Sequence, residues 1–317
     1  MMNTVLLHET LDFVLEKIPD LLGVLVVDMD GFIIAEKCDD SINEALIGAV
    51  MSVIEQTTIR IKRVTKTRYG SGTLDTNDFR LFYLELGGKR PALFVIIADP
   101  YAELERIIPY IYLPANKISR IMNKLPVNSF IPDFAKKGDC VLDLDTVAAN
   151  KNTVSVLLIG PKEAGKTSFL TTYNFGDFSE DYNPTIGVSS FKKELVISSD
   201  FKIDFLLFEI AGMKVFSKLR KYYYRKMDNV IIMADYSRPE TINNITEWIE
   251  EARYFLGRGD VNYIIAGNKV DLINDESDLR DSLIDISINY DCEYFDSSSV
   301  TGQGLDEIFT YILNQIL

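Results

Sequence analysis

Residues 154–167 read Val154-Ser155-Val156-Leu157-Leu158-Ile159-Gly160-Pro161-Lys162-Glu163-Ala164-Gly165-Lys166-Thr167. The run Val154–Ile159 has the composition of a strand buried on both faces. The eight residues after it fit the pattern GxxxxGK(S/T), a phosphate-binding loop. That chemistry needs a turn whose backbone N–H groups surround phosphate oxygens, followed at once by a helix whose positive end faces them. Gly160, Lys162, Glu163, Ala164 and Gly165 would form the cradle, and Lys166 would reach the terminal phosphates. Thr167 and Ser168 open the helix, with the Thr167 hydroxyl a ligand for Mg2+.

Downstream of this unit, apolar runs recur at helix-sized spacings: Phe205–Phe208, Val230–Met233, Tyr263–Ala266 and Tyr294–Phe295. The alternation predicts an α/β fold, a mainly parallel six-stranded sheet with helices on both faces. Glu194–Asp204 reads instead as a hairpin turning through Ser198-Ser199-Asp200, so one strand is expected to be antiparallel.

The loop alone does not distinguish GTP from ATP. Asn268-Lys269-Val270-Asp271 follows the strand Tyr263–Ala266. A carboxylate at Asp271 can accept from the N1 and N2 hydrogens of guanine, which adenine does not offer. Asn268 can hold the other edge of the base and the loop, and the Lys269 stem can cover the ring face. Ser298, Ser299 and Val300 lie in a polar run before the last helix, where backbone amides would meet the guanine carbonyl.

With these motifs in order, about 165 residues resemble the Ras superfamily of small GTPases. The resemblance implies that Pro184-Thr185-Ile186-Gly187 is the first switch, with Thr185 binding Mg2+ and sensing the γ-phosphate. Phe178 falls where the family places an aromatic against the guanine edge. Glu209-Ile210-Ala211-Gly212-Met213 stands where the second switch reads Asp-x-x-Gly followed by Gln. Glu209 keeps the charge that orients a magnesium-bound water, and Gly212 faces the γ-phosphate. Met213 cannot orient an attacking water, because a thioether is at best a weak acceptor. Lys166, Thr185 and Gly212 are therefore the expected catalytic residues, and Thr167, Thr185 and Glu209 the metal set. Tight GTP/GDP binding with slow turnover is expected. Lys162 stands where the family carries a small residue, as a solvated lysine, as a cation neutralising charge in cis, or as an obstruction to a partner's arginine finger.

Residues 1–123 carry no catalytic constellation. A helix at 5–18, two strands turning at Met29-Asp30-Gly31, a helix at 42–65, two or three strands and a helix at 101–123 are expected. This order resembles a roadblock domain of the dynein-light-chain type, an α+β unit. The initial helix disfavours a longin domain. The resemblance implies dimerisation, or pairing with another roadblock domain, and regulation of GTPases. Residues 124–152, with Pro126, Pro132 and Gly138, read as a linker to the GTPase domain at 153–317.

Composition agrees with two soluble domains: 317 residues, 47% hydrophobic and 25% charged. The net charge of −14, most of it after residue 125, argues against nucleic acid as a partner. Cys38, Cys140, Cys292 and the single His8 supply neither a zinc site nor a catalytic triad. No apolar run approaches the ~20 residues of a membrane span. Met1-Met2-Asn3 has no glycine to acylate, and Asn314–Leu317 has no cysteine to prenylate. A cytoplasmic protein, recruited to membranes only through a partner, is expected.

Two basic clusters stand out. Arg60, Lys62, Arg63, Lys66 and Arg68 suit a helix C-terminus or an anionic partner. Lys214, Lys218, Arg220, Lys221, Arg225 and Lys226, interleaved with Phe216 and Tyr222–Tyr224, read as a solvated helix face or a docking surface for regulators and effectors. The sequence thus points to a GTP-operated switch on a dimerising scaffold. A scaffold with a structural nucleotide is the rival, and an ATP-driven enzyme is disfavoured by Asp271.

Overall fold

The computed structural model describes residues 3–39, 42, 51, 70–128, 130–136, 141–144, 152–178, 183–199, 201–273 and 278–316. The chain forms two compact units, Met1–Ser129 and Phe130–Leu317.

In the first unit, α1 (Thr4–Lys17) precedes strands β1 (Leu21–Asp28), β2 (Ile33–Cys38), β3 (Ser71–Asp75), β4 (Arg80–Leu86) and β5 (Ala92–Ala98), and α2 (Leu104–Met122) closes it. The strands form one sheet in the order β2-β1-β5-β4-β3, antiparallel at every pairing. The expected β1–β2 turn is present: Asp28 accepts from the N–H groups of Asp30 and Phe32, at 2.9 and 2.8 Å. Gly31 has φ +89° there, a conformation that disfavours a side chain. The central strand β5 is buried at every position. Leu93, Val95 and Ile97 join Leu25, Val27, Leu81 and Met51 in one cluster, and Ala92, Phe94, Ile96 and Ala98 are buried on the other face, which explains a run of apolar residues without alternation. The helix expected at 42–65 and its terminal basic cluster lie outside the described residues, apart from Ile42 and the helical Met51.

The second unit contains β6 (Thr153–Ile159), α3 (Lys166–Phe175), β7 (Val188–Val196), β8 (Lys202–Ile210), α4 (Ser217–Tyr224), β9 (Asn229–Asp235), α5 (Pro239–Asn243), α6 (Ile245–Leu256), β10 (Asn262–Asn268), α7 (Asp278–Asn289), β11 (Glu293–Ser297) and α8 (Leu305–Asn314). The sheet runs β11-β10-β9-β6-β8-β7. All pairs are parallel except β7–β8, the hairpin expected through Ser198 and Ser199. Val154, Val156 and Leu158 face a core completed by Phe169, Phe205, Ile308 and Phe309. Phe309 of α8 stacks on Tyr173 of α3, with ring centroids 3.7 Å apart. Truncating such a ring to alanine costs about 3–5 kcal/mol.

Within the stretch read as a linker, Ile131, Phe134, Val141, Leu142 and Leu144 are buried. Phe134 and Leu142 form an isolated antiparallel bridge, and the Phe130 carbonyl accepts from Ser190 Oγ of β7 at 3.3 Å. No helix among the described residues is long and apolar enough to cross a membrane.

Candidate nucleotide site

The C-terminal ends of β6, β8, β9 and β10 bring the separated motifs together. The topology reverses here: β6 has β8 on one side and β9 on the other, the position at which open parallel sheets bind ligands. Gly160 leaves β6 with φ +134°, and a Cβ there would lie 2.4 Å from the Met233 carbonyl oxygen. Only glycine passes this point without moving β9. Gly165 has φ +95° and ends the loop as the residue preceding α3.

Lys166 is buried, and its Nζ donates to the carbonyls of Gly160 and Pro161 at 2.9 and 2.7 Å. The loop thus holds its own cation across its mouth. Burial pushes the ammonium down to about 8, while the Glu209 carboxylate pulls it back up.

Thr167, Thr185 and Glu209, far apart in sequence, converge. The Thr167 and Thr185 hydroxyls donate to Glu209 Oε1 at 2.5 and 3.0 Å and lie 2.9 Å from each other. Glu209 Oε2 is buried without a hydrogen-bond partner. An unpaired buried carboxylate oxygen is costly, and with two hydroxyls beside it this all-oxygen set suits Mg2+, which prefers oxygen ligands and retains water. The residues present therefore fit the ion.

Gly212 packs backbone to backbone on the phosphate loop: a Cβ on it would lie 2.3 Å from the Gly160 carbonyl oxygen and 2.5 Å from the Lys162 nitrogen. Met213 is half-buried and accepts through its carbonyl from Phe216. Ser168 is half-buried in the first turn of α3, and Phe178 is half-buried after that helix.

At the other end of the site, Asn268 is buried, Lys269 has a left-handed backbone (φ +66°), and Asp271 is exposed in the short turn Val270–Leu272. Ser298 and Ser299 are buried and Val300 is exposed. The Ser299 carbonyl accepts from Thr172 of α3 at 2.9 Å, which fixes this loop against the phosphate-loop helix.

The motif reading missed two residues. Asp235, fully buried at the end of β9, accepts from Lys269 Nζ at 2.6 Å, from Arg238 Nε at 2.7 Å and from the Ser237 amide and hydroxyl. These cations and hydrogen bonds outweigh its burial and hold its carboxyl below the usual range. Arg238 also donates to the Lys162 carbonyl at 2.8 Å. The available signal was an aspartate ending the apolar run Val230–Ala234 at a strand terminus.

The second basic cluster needs a correction. Arg220, Tyr223, Tyr224 and Phe216 are buried. Arg220 makes a two-pronged pair with Glu251 of α6 at 2.5 and 2.6 Å and lies over the Trp248 ring. Tyr224 donates to the same carboxylate. Arg220 and Tyr224 thus fasten α4 to α6, and the buried side chains offer a partner nothing, whereas Lys214, Val215, Lys218, Lys221, Arg225 and Lys226 are exposed.

Fold and site together define a phosphate-loop nucleotide-binding domain in which Thr167, Thr185 and Glu209 cluster beside the loop. The Ras family profile matches residues 155–317, and the chain belongs to that family. Among its relatives, the GTP-binding protein YPT53 of Saccharomyces cerevisiae is 29% identical over 175 residues, covering 53% of this chain and 78% of the relative. The Ras-related protein RABC1 of Arabidopsis thaliana is 29% identical over 163 residues, covering 51% and 76%. The Ras-related protein Rab-18 of Lymnaea stagnalis is 27% identical over 165 residues, covering 52% and 81%. The domain is a Ras/Rab-type nucleotide-binding switch.

Proposed function

We propose that the protein is a GTP/GDP switch with slow intrinsic hydrolysis, fused to a roadblock-type dimerisation and regulatory unit at 1–123. The observation that carries the nucleotide reading is the convergence of Thr167, Thr185 and Glu209 beside Lys166. Mg2+ held there would neutralise charge on the phosphates. Lys166 binds the terminal phosphates, Gly212 offers its backbone N–H, and Asp271 selects guanine. Loss of the γ-phosphate would release Thr185 and Gly212 and change what the exposed residues after Met213 present to regulators and effectors.

Slow turnover follows from Met213. No side-chain amide aligns the attacking water, and misplacing a reacting group costs on the order of 10²-fold. The antiparallel sheet and its two described helices support the roadblock reading through element order, and with it self-association.

The test is extraction of the nucleotide from the purified chain, followed by single-turnover GTP hydrolysis with Mg2+. Bound guanine nucleotide and a slow rate that rises in Met213→Gln are expected. GTP retained intact under every condition would instead make the nucleotide structural, and absence of guanine nucleotide would end the proposal. Sedimentation of the full chain tests self-association, and a monomer at all concentrations would remove the dimer.

A further inference from the structure

The phosphate loop carries two charged residues, Lys162 and Glu163, that its phosphate-binding task does not require. Glu163 adds a negative charge beside a polyanion site, a repulsive arrangement unless it is neutralised. It is neutralised twice. Lys162 Nζ lies 2.8 Å from Glu163 Oε1, and Arg238 Nη1 lies 3.9 Å from Oε2. Lys162 and, more weakly, Arg238 keep the Glu163 carboxyl below the usual range.

Arg238 is itself fixed at two points, through Nε on the buried Asp235 and through Nη2 on the Lys162 carbonyl. The backbone of Lys162 is therefore held, while its half-exposed ammonium pairs with a half-exposed carboxylate. The same backbone touches Gly212, whose added Cβ would meet the Lys162 nitrogen at 2.5 Å. Lys162 thus stands where the loop and the second switch meet. Lys166, anchored on the Gly160 and Pro161 carbonyls, marks the same end of the site.

We propose that Lys162, Glu163 and Arg238 form an ion-pair gate that discriminates a nucleoside triphosphate from a diphosphate. This rests on the guanine-nucleotide reading above. With a diphosphate, Lys162 stays on Glu163. A terminal phosphate outcompetes the exposed carboxylate for the ammonium, because it carries more charge and more acceptor oxygens. Arg238, already facing the second oxygen of Glu163, then keeps that carboxylate neutralised. Glu163 holds the cation in reserve, Arg238 removes the cost of releasing it, and Lys162 is the residue that senses the third phosphate.

The test is competition of GTPγS and of GDP against a fluorescent GDP on the full-length chain, for wild type, Lys162→Ala, Lys162→Arg and Glu163→Gln. Loss of one charge-assisted contact is expected to lower the GTPγS-to-GDP affinity ratio of Lys162→Ala about tenfold. Lys162→Arg is expected to restore most of the ratio, and Glu163→Gln to raise it, because the competing charge is gone. If Lys162→Ala weakens both nucleotides equally, or neither, the pair merely fastens the loop and the gate is refuted. A lower ratio in Glu163→Gln refutes it as well. Failure of the wild-type chain to bind either nucleotide is a different result, which removes the underlying reading and the gate with it.

Discussion

Asn268 at the end of β10 donates from Nδ2 to the Ala164 carbonyl at 2.9 Å, so the end of β10 is bolted directly to the phosphate loop. Its Oδ1 faces the hydroxyls of Ser297 and Ser299 at 3.3 and 3.5 Å. The side chain is almost wholly buried, and both ends of its amide are used inside the protein. Asn268 therefore braces three loops. Asn268→Ala strands the buried Ala164 carbonyl, a loss of about 1–3 kcal/mol. A lower unfolding midpoint and release of fluorescent GDP faster by roughly tenfold are expected. Parental values for both would show that the brace contributes nothing.

Glu209 places one carboxylate oxygen on two threonine hydroxyls and leaves the other buried without a partner. Glu209→Gln keeps the shape and removes the charge that makes the set attractive to Mg2+. In the parent, chelating Mg2+ should accelerate nucleotide release strongly. In Glu209→Gln release should already be fast and respond little to the chelator. A variant that responds to chelation as the parent does would remove Glu209 from the metal set.

Lys166 gives a pH dependence with a definite sign. Burial lowers its ammonium to about 8 from an ordinary value of 10.5. A phosphate polyanion on the loop favours the charged form, so binding takes up a proton once the pH exceeds about 8. Nucleotide affinity should hold roughly level below that point and fall above it, by up to about tenfold per pH unit. The folded loop disfavours the charge, so Lys166→Met should stabilise the chain without added nucleotide below pH 8. That gain should fade as the pH rises from about 8 toward 10.5. Calorimetry in buffers of different ionisation heat reads the proton directly, and no uptake at pH 9 would contradict this picture.

What the sequence made legible was set by locality. The strand, loop and helix at Val154–Phe175 and the hairpin through Ser198 and Ser199 are consecutive in the chain, and their glycines and apolar runs record the geometry directly. The ordered motifs also single out Thr167, Thr185 and Glu209, whose side chains meet in the fold. Partners supplied by neighbouring elements left no such trace. Asp235 reads as a polar residue ending a strand, and its meaning comes from Lys269 on β10 and Arg238 beyond β9. Arg220 looked like one cation of an exposed cluster because Glu251 and Trp248, which bury it, lie a helix away. Residues 124–152 read as a linker because their Pro and polar residues carry no periodicity, yet Phe134 and Leu142 pair within them.

Asp271 is exposed on the turn Val270–Leu272, and Val270 beneath it is buried. Its carboxylate is an acceptor at both oxygens, which matches the two adjacent donors of guanine, N1–H and the N2 amino group. Asp271→Asn replaces one acceptor by a donor, so it opposes the guanine amino group and matches the C2 carbonyl of xanthine. A site built to pair a polar group rejects a mismatched one by up to about 10⁴-fold. At this exposed edge, where water competes, a loss of GTP affinity nearer 10²-fold is expected. Affinity for xanthosine triphosphate should rise while the unfolding midpoint stays unchanged, since the side chain takes no part in the core. Equal losses for both nucleotides would mean that Asp271 shapes the loop and does not read the base.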